Sequence, residues 1–232
     1  MNIPHSIQLA DCDPEDINDI IKALESSFGV QLDQYDLAEV KTFSDLCDVF
    51  EKSISQENRE DCTTQQAFYK LRTAISESQG LEKETIKPDT QLTDLFPRQN
   101  RRKRIRLLEK QLGIKLNLLT CPGWVTFILI TVFIASLIAL FFDWKTGLSG
   151  LGISYLAMWV ADKTGKELEL QTLRELTEKT AALEYTKMRR IPGTINRHEI
   201  VATIKEVFSK QLDIDKEKLT RQSEFFRQAV YK

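Results

Sequence analysis

Histidine is almost absent from this 232-residue chain, where His5 and His198 are the only two. Cysteine is sparse as well: Cys12, Cys47, Cys62 and Cys121 lie far apart, with no Cys-x-x-Cys pair. Two histidines and four scattered thiols make neither a zinc ligand set nor the framework of a disulfide-stapled secreted domain, and they suit a compartment that keeps thiols reduced. The first residues, MNIPHSIQLADCDPED, lack both a basic and an apolar region, so no cleavable signal is expected and an internal segment must do any targeting. No stretch alternates in the way of a strand, so an all-α protein is expected. Catalytic patterns are missing too. No Ser/His/Asp or Cys/His set stands in a motif-like context, and His198 beside Glu199 reads as surface capping. The acids Asp11, Asp13, Glu15, Asp16 and Asp19 do not make a calcium loop, because there is no mid-loop glycine and Lys22 stands where a bidentate acid belongs. They read instead as acids favoured at a helix N-terminus. Neither enzyme activity, a metal nor a cofactor is expected. With 32 basic against 34 acidic residues the chain is not globally basic, and nucleic acid is not an expected partner.

What the chain does have is one long apolar run, CPGWVTFILITVFIASLIALFFDWKTGLSGLGISYLAMWVA, from Cys121 to Ala161. Trp124 to Phe142 holds no charge, and at ~1.5 Å per helical residue it approaches the ~30 Å of a bilayer's hydrocarbon core. After Asp143-Trp144-Lys145-Thr146-Gly147, a shorter uncharged stretch runs from Leu148 to Ala161 with Gly150 and Gly152 in it. A transmembrane helical hairpin is expected over 121–161, its two legs in close contact through small residues. The approach to it carries Arg98, Arg101, Arg102, Lys103, Arg104, Arg106, Lys110 and Lys115 against the single acid Glu109. That bias keeps the flank cytoplasmic. Arg101, Arg102, Lys103, Arg104 and Arg106 are therefore the candidate membrane-surface residues, facing anionic headgroups at about 1 kcal/mol each.

Helical periodicity accounts for most of the rest. Ile17, Ile20, Ile21, Leu24 and Phe28 predict a helix over 14–28 that Gly29 ends, and a short helix follows. Thr42 caps a helix over 43–53, and SQENREDCTT supplies a linker, taken as 57–63. Helices are expected over 65–78 and 101–112. Another begins after Thr172 and runs as far as Met188, and a last one spans 199–212, with Ile191-Pro192-Gly193 as a break between them.

Two internal repeats organise this list. Residues 23–32, ALESSFGVQL, match 107–116, LLEKQLGIKL, and 40–46, VKTFSDL, match 170–176, LQTLREL. Residues 33–39 separate the paired segments in one copy and 117–169 in the other, so the apolar run is an insertion in an inter-helix loop. A second repeat pairs Phe68, Leu71, Ile75, Leu81, Ile86 and Leu92 with Val201, Ile204, Phe208, Ile214, Leu219 and Phe225. EVFSKQLDIDKEKLTRQSEF resembles the first helix and long loop of an acyl carrier protein, and IIKALESSFGVQLDQYDLAEVKTFSDLCDVF resembles its second to fourth helices. The resemblance implies two four-helix bundles. One comprises 64–120 with 162–190, interrupted by the hairpin. The other is circularly permuted, 1–56 being completed by 197–232, with 191–232 supplying the first helix and loop. Head-to-tail completion in a homodimer is the alternative. If both flanks of the hairpin belong to one bundle, both lie on the cytoplasmic face.

The resemblance also implies a serine at the start of the second helix, in an Asp-Ser-Leu motif, to carry phosphopantetheine. In this register it falls on Pro14 in one copy and near Arg98, within Phe96-Pro97-Arg98-Gln99-Asn100, in the other. Neither place has a hydroxyl. Ser6 is out of register, and proline at a helix's first turn has a plain structural reading. The expected function is thus a membrane-anchored, non-catalytic carrier-like scaffold whose second helices dock a protein partner. Two alternatives remain: a carrier modified at an unconventional residue, or a regulatory subunit of a membrane enzyme or transporter.

Overall fold

The computed structural model describes Leu9 and residues 12–225, so Asp11, Ser6, His5 and the part of the permuted segment beyond 225 lie outside the described residues. The described chain is mostly helical, as its periodicity predicts. It divides into two compact units, one formed by residues up to 71 together with those from 176 onward, the other by 72–175.

The first unit begins with α1 (Pro14–Phe28), capped by the Asp13 carboxylate and stopped by Gly29 in the left-handed region at φ 64°. Next come α2 (Gln34–Ala38) and α3 (Phe43–Ser53), the latter opened by a reciprocal capping box between Thr42 and Asp45. Two backbone donors, from Thr42 and Lys41, and the Thr42 hydroxyl hold the Asp45 carboxyl below its ordinary range. A short β1 (Glu57–Asn58) pairs in parallel with β4 (Thr194–Ile195), which ties down the expected linker with two-residue strands that leave the all-α class intact. Arg189, itself buried, secures this crossing: its guanidinium donates to the Arg59 and Asp61 carbonyls and to the Thr63 and Thr194 hydroxyls at 2.5–3.3 Å. The last helix of the unit is Arg197–Gln211, capped by Asn196 rather than starting at Glu199.

The segments before residue 55 and after 181 share one hydrophobic core, in which Ile20, Leu24, Phe28, Phe43, Leu46 and Phe50 meet Tyr185, Ile200, Ile204 and Phe208. The Phe43 and Phe208 rings pack edge to face at 5.6 Å, and Phe28 lies 5.3 Å from Tyr185. Ser27, on the buried face of α1, donates to the Ala182 carbonyl and accepts from Tyr185 N. These bonds sit where the expected single helix over 173–188 is split, into Leu173–Leu183 and Tyr185–Met188.

The second unit takes in the C-terminal part of α4 (Thr63–Gln79), then α5 (Leu92–Leu95) and α6 (Arg101–Leu112). Ile75, Ile86, Leu92, Leu95, Phe96, Ile105, Leu108, Ile114, Leu116 and Leu173 are buried in it. β2 (Leu119–Thr120) pairs antiparallel with β3 (Glu167–Leu168), and between them run α7 (Gly123–Ala139) and α8 (Trp144–Thr164). The remaining helices, in chain order, are α9 (Leu173–Leu183), α10 (Tyr185–Met188) and α11 (Arg197–Gln211).

The two units repeat the same local bonds. Leu32 N donates to Glu25 Oε1 at 2.7 Å and Leu116 N to Glu109 Oε1 at 2.9 Å. Ser209 Oγ donates to the Ile214 carbonyl and Ser76 Oγ to the Leu81 carbonyl, both at 2.6 Å. Phe43 N donates to Ser223 O and Phe225 N to Lys41 O; Leu173 N donates to Thr90 O and Leu92 N to Gln171 O. Each pair sits at the matched positions of the sequence repeats.

Candidate functional site

The apolar insertion folds into two helices, but not with the expected bounds. The first leg stops at Ala139 instead of Phe142, because Phe141 N and Phe142 N turn back to carbonyls three residues earlier. The second starts at Trp144 instead of Leu148, because Asp143 caps it by accepting from Lys145 N and Thr146 N. So α7 has 17 residues, and α8 has 21 but includes Lys145 and Lys163. Among the described residues no helix is long and apolar enough to cross a membrane, which corrects the expected transmembrane legs Trp124–Phe142 and Leu148–Ala161.

The two legs pack on each other through small residues. A Cβ on Gly150 would lie 2.5 Å from Ser136 Oγ, and one on Gly147 would lie 2.6 Å from Leu140. Ser136 and Ser154 are buried in the seam, and each hydroxyl donates to its own helix four residues back, at 2.8 and 2.7 Å. Thr131 and Thr164 do the same at 2.9 and 2.8 Å, so these hydroxyls ask nothing of the surroundings. The outer faces are apolar and open: between Trp124 and Val160, nineteen large apolar side chains are 37–90% exposed. Patches of that extent mark a surface meant to be covered. Trp124 and Trp159 lie toward the foot of the pair, where Lys163 stands 3.8 Å over the Trp159 ring, and Trp144 lies at the tip.

Both ends of the pair return to one place. Leu119 faces Leu168 and Thr120 faces Glu167 across the β2–β3 ladder. Gly165 is required there, since a Cβ would run into the Thr120 carbonyl and lie 2.7 Å from Cys121 N. Its own carbonyl accepts from Arg102 Nε and Nη2 at 3.0 and 2.8 Å.

These contacts redistribute the candidate membrane-surface residues. Arg101 is only 5% exposed, and its guanidinium donates to the Phe96 and Lys166 carbonyls, so it braces the foot of the pair instead of facing a surface. Arg104 donates to the Leu95 carbonyl at 3.3 Å, and Arg98 pairs with Glu167 at 2.9 Å. Lys103 and Arg106 are exposed. With Arg98, Arg102, Lys110 and Lys166 they line a cavity of about 480 Å³ that contains no acid. Sequence reasoning missed Lys166 and Gly165, which are brought to α6 only by the return of the second leg. It also missed Arg189, whose single signal is its place just before the Ile191-Pro192-Gly193 break.

The two helix starts at which a carrier would be modified differ in chemistry. Pro14 occupies the first turn of α1 behind the Asp13 cap, where no N–H is needed. The start of α6 has no side-chain cap from Asn100, and its first turn is wholly basic, opposite in sign to what the helix dipole favours. A smaller cavity in the first unit is lined by Thr63, Glu178, Tyr185, Glu199 and Glu206. Burial pushes the Tyr185 phenol up to about 12, so it stays a neutral donor to Glu199 at 2.9 Å. Among the described residues no group of three potential metal ligands comes together. No family model, curated protein or solved structure matches the chain.

Proposed function

We propose that this chain is a non-enzymatic docking protein, built from two acyl-carrier-like four-helix bundles without the prosthetic group and held at a lipid surface by its apolar helical pair. The single observation that supports the carrier-like reading is the repetition of the same side chain-to-backbone bonds at matched positions, Glu25 with Glu109 and Ser209 with Ser76. In this reading α1 and α6 are the second helices of the two bundles and offer the partner-docking faces. The helical pair replaces the short α2 of the other copy. The bundle of the first unit is the permuted one, in which α11 supplies the helix that precedes α1 in an ordinary carrier.

The open outer faces of α7 and α8 favour lipid as their cover, and an anchor requires burial of those faces, not a crossing. Because β2 pairs with β3, the insertion leaves and returns on one side, which this reading assigns to the cytoplasmic face. The carrier function is absent because Pro14 and the stretch around Arg98 provide no hydroxyl at the modification position. Incubating the full chain with coenzyme A and a broad phosphopantetheinyl transferase, followed by intact-mass measurement, is expected to give no added mass. A phosphopantetheine adduct would overturn the reading in favour of a working carrier modified elsewhere.

A further inference from the structure

We infer that the basic cavity at the foot of the helical pair binds the phosphate of an anionic lipid headgroup; the inference rests on the anchor reading above and names the lipid chemistry it selects. Three observations point there. First, Lys103, Arg106, Lys110 and Lys166 converge on one cavity of about 480 Å³ with Arg98 and Arg102, and no carboxylate lines it. Like charges held together in a concave site raise the local potential and leave the site short of an anion. Second, the neighbouring cations that could have joined them are already engaged: Arg101 and Arg102 with backbone carbonyls and Arg98 with Glu167. The remaining four are set apart from the structural ones and stand on two elements, α6 and the segment that leaves α8. Third, the cavity is not purely polar. Leu107, 45% exposed, lines it, and Arg102 reaches from it to the Gly165 carbonyl at the end of α8. A phosphate on a glycerol backbone suits such a site better than a free anion, since its charge meets the lysines and Arg106 while its apolar part continues toward α7 and α8. A doubly charged phosphomonoester fits four cations that have no acid partner among the described residues better than a singly charged diester does.

The test uses the full chain in nanodiscs of phosphatidylcholine alone, or doped with phosphatidylglycerol or with phosphatidate at equal mole fraction. Amide exchange over 100–107 and retained lipid in native mass spectra are read. Protection should be greatest with phosphatidate, smaller with phosphatidylglycerol and least with phosphatidylcholine. Lys103→Glu combined with Arg106→Glu and Lys166→Glu should reduce apparent phosphatidate affinity by at least about tenfold. These are surface positions, and unchanged helix content with unchanged entry into phosphatidylcholine discs shows that the variant folds. Equal protection in all three discs overturns the inference and leaves the anchor reading standing. Failure of the wild-type chain to enter any disc overturns both. Inorganic phosphate added to phosphatidylcholine discs should not reproduce the protection; if it does, the occupant is a soluble anion and the lipid assignment is wrong.

Discussion

Removing the helical pair should abolish binding to lipid if the proposed anchor lies there, and the β2–β3 ladder shows where to cut. Thr120 and Glu167 are antiparallel partners. Excising 121–164 leaves Gly165-Lys166 as a two-residue connection between them, with glycine first as a type II′ turn requires. The cut also retains the Gly165 and Lys166 carbonyls that accept from Arg102 and Arg101. The magnitude follows from exposure. Nineteen large apolar side chains of the pair stand open to roughly half their area. Full burial of each stabilises by about 2 kcal/mol, so lipid insertion gains on the order of 20 kcal/mol. Lys103, Arg106, Lys110 and Lys166 together contribute only about 4 kcal/mol at an anionic surface, and salt screens that part. Hydrophobic insertion therefore wins by a wide margin. In vesicle flotation the intact chain should rise with neutral phosphatidylcholine vesicles at both low and high salt. The excised chain should stay at the bottom with neutral vesicles and show at most a weak, salt-sensitive association with anionic ones. Flotation of the excised chain on neutral vesicles, or release of the intact chain by high salt, would refute the reasoning.

Phe208→Ala should destabilise the first unit by about 3–5 kcal/mol, and amide exchange should speed up in α1 and α3 as well as α11, because Phe208 is fully buried against Phe43; loss confined to α11 would mean that the terminal segments do not share a core. Gly165→Ala should loosen the foot of the helical pair by about 1–3 kcal/mol, seen as faster proteolysis near Cys121, whereas Gly152→Ala, with nothing within 4 Å of the added methyl, should be neutral. At pH 8 a thiol reagent should modify exposed Cys62 quickly and Cys47 only on unfolding, because burial pushes the Cys47 thiol up to about 12; equal rates would contradict the packing of α3. Burial works against the Glu206 charge, but Lys216 and Lys210 outweigh it and hold its carboxyl below the ordinary 4.5. That contribution is present above pH 4.5 and is lost as pH falls through the lowered value, so Lys216→Ala should flatten the acid limb of a thermal-denaturation series.

Local chemistry alone was enough to place several elements. The spacing of Ile17, Ile20, Ile21, Leu24 and Phe28 between Asp13 and Gly29 specifies α1 from Pro14 to Phe28, and Thr42 and Asp45 specify the start of α3. The interval Arg101–Leu112 was equally plain, with Gly113 as its left-handed stop. The repeats were legible for a similar reason: a glutamate that reaches forward seven residues to a backbone N–H leaves a fixed spacing in the chain. Other features depend on partners distant in sequence, and these were out of reach. Ser27 splits the expected 173–188 helix because its hydroxyl meets Ala182 and Tyr185 from across the fold. Residues 57–58 form a strand only because 194–195 lie beside them.

Hydropathy identified an apolar insertion and the polar interruption at 143–147 within it, both properties of neighbouring residues. It could not set where the legs end, because the reversal at 140–143 uses up helical length that a count of uncharged residues includes. Charge counting likewise found the basic approach, yet it could not sort Arg101, itself buried and spent on backbone carbonyls, from Lys103 and Arg106, which remain open. Only the return of the chain to Gly165 and Lys166 makes that division, since it brings acceptors 63 and 65 residues away in sequence to the first turn of α6.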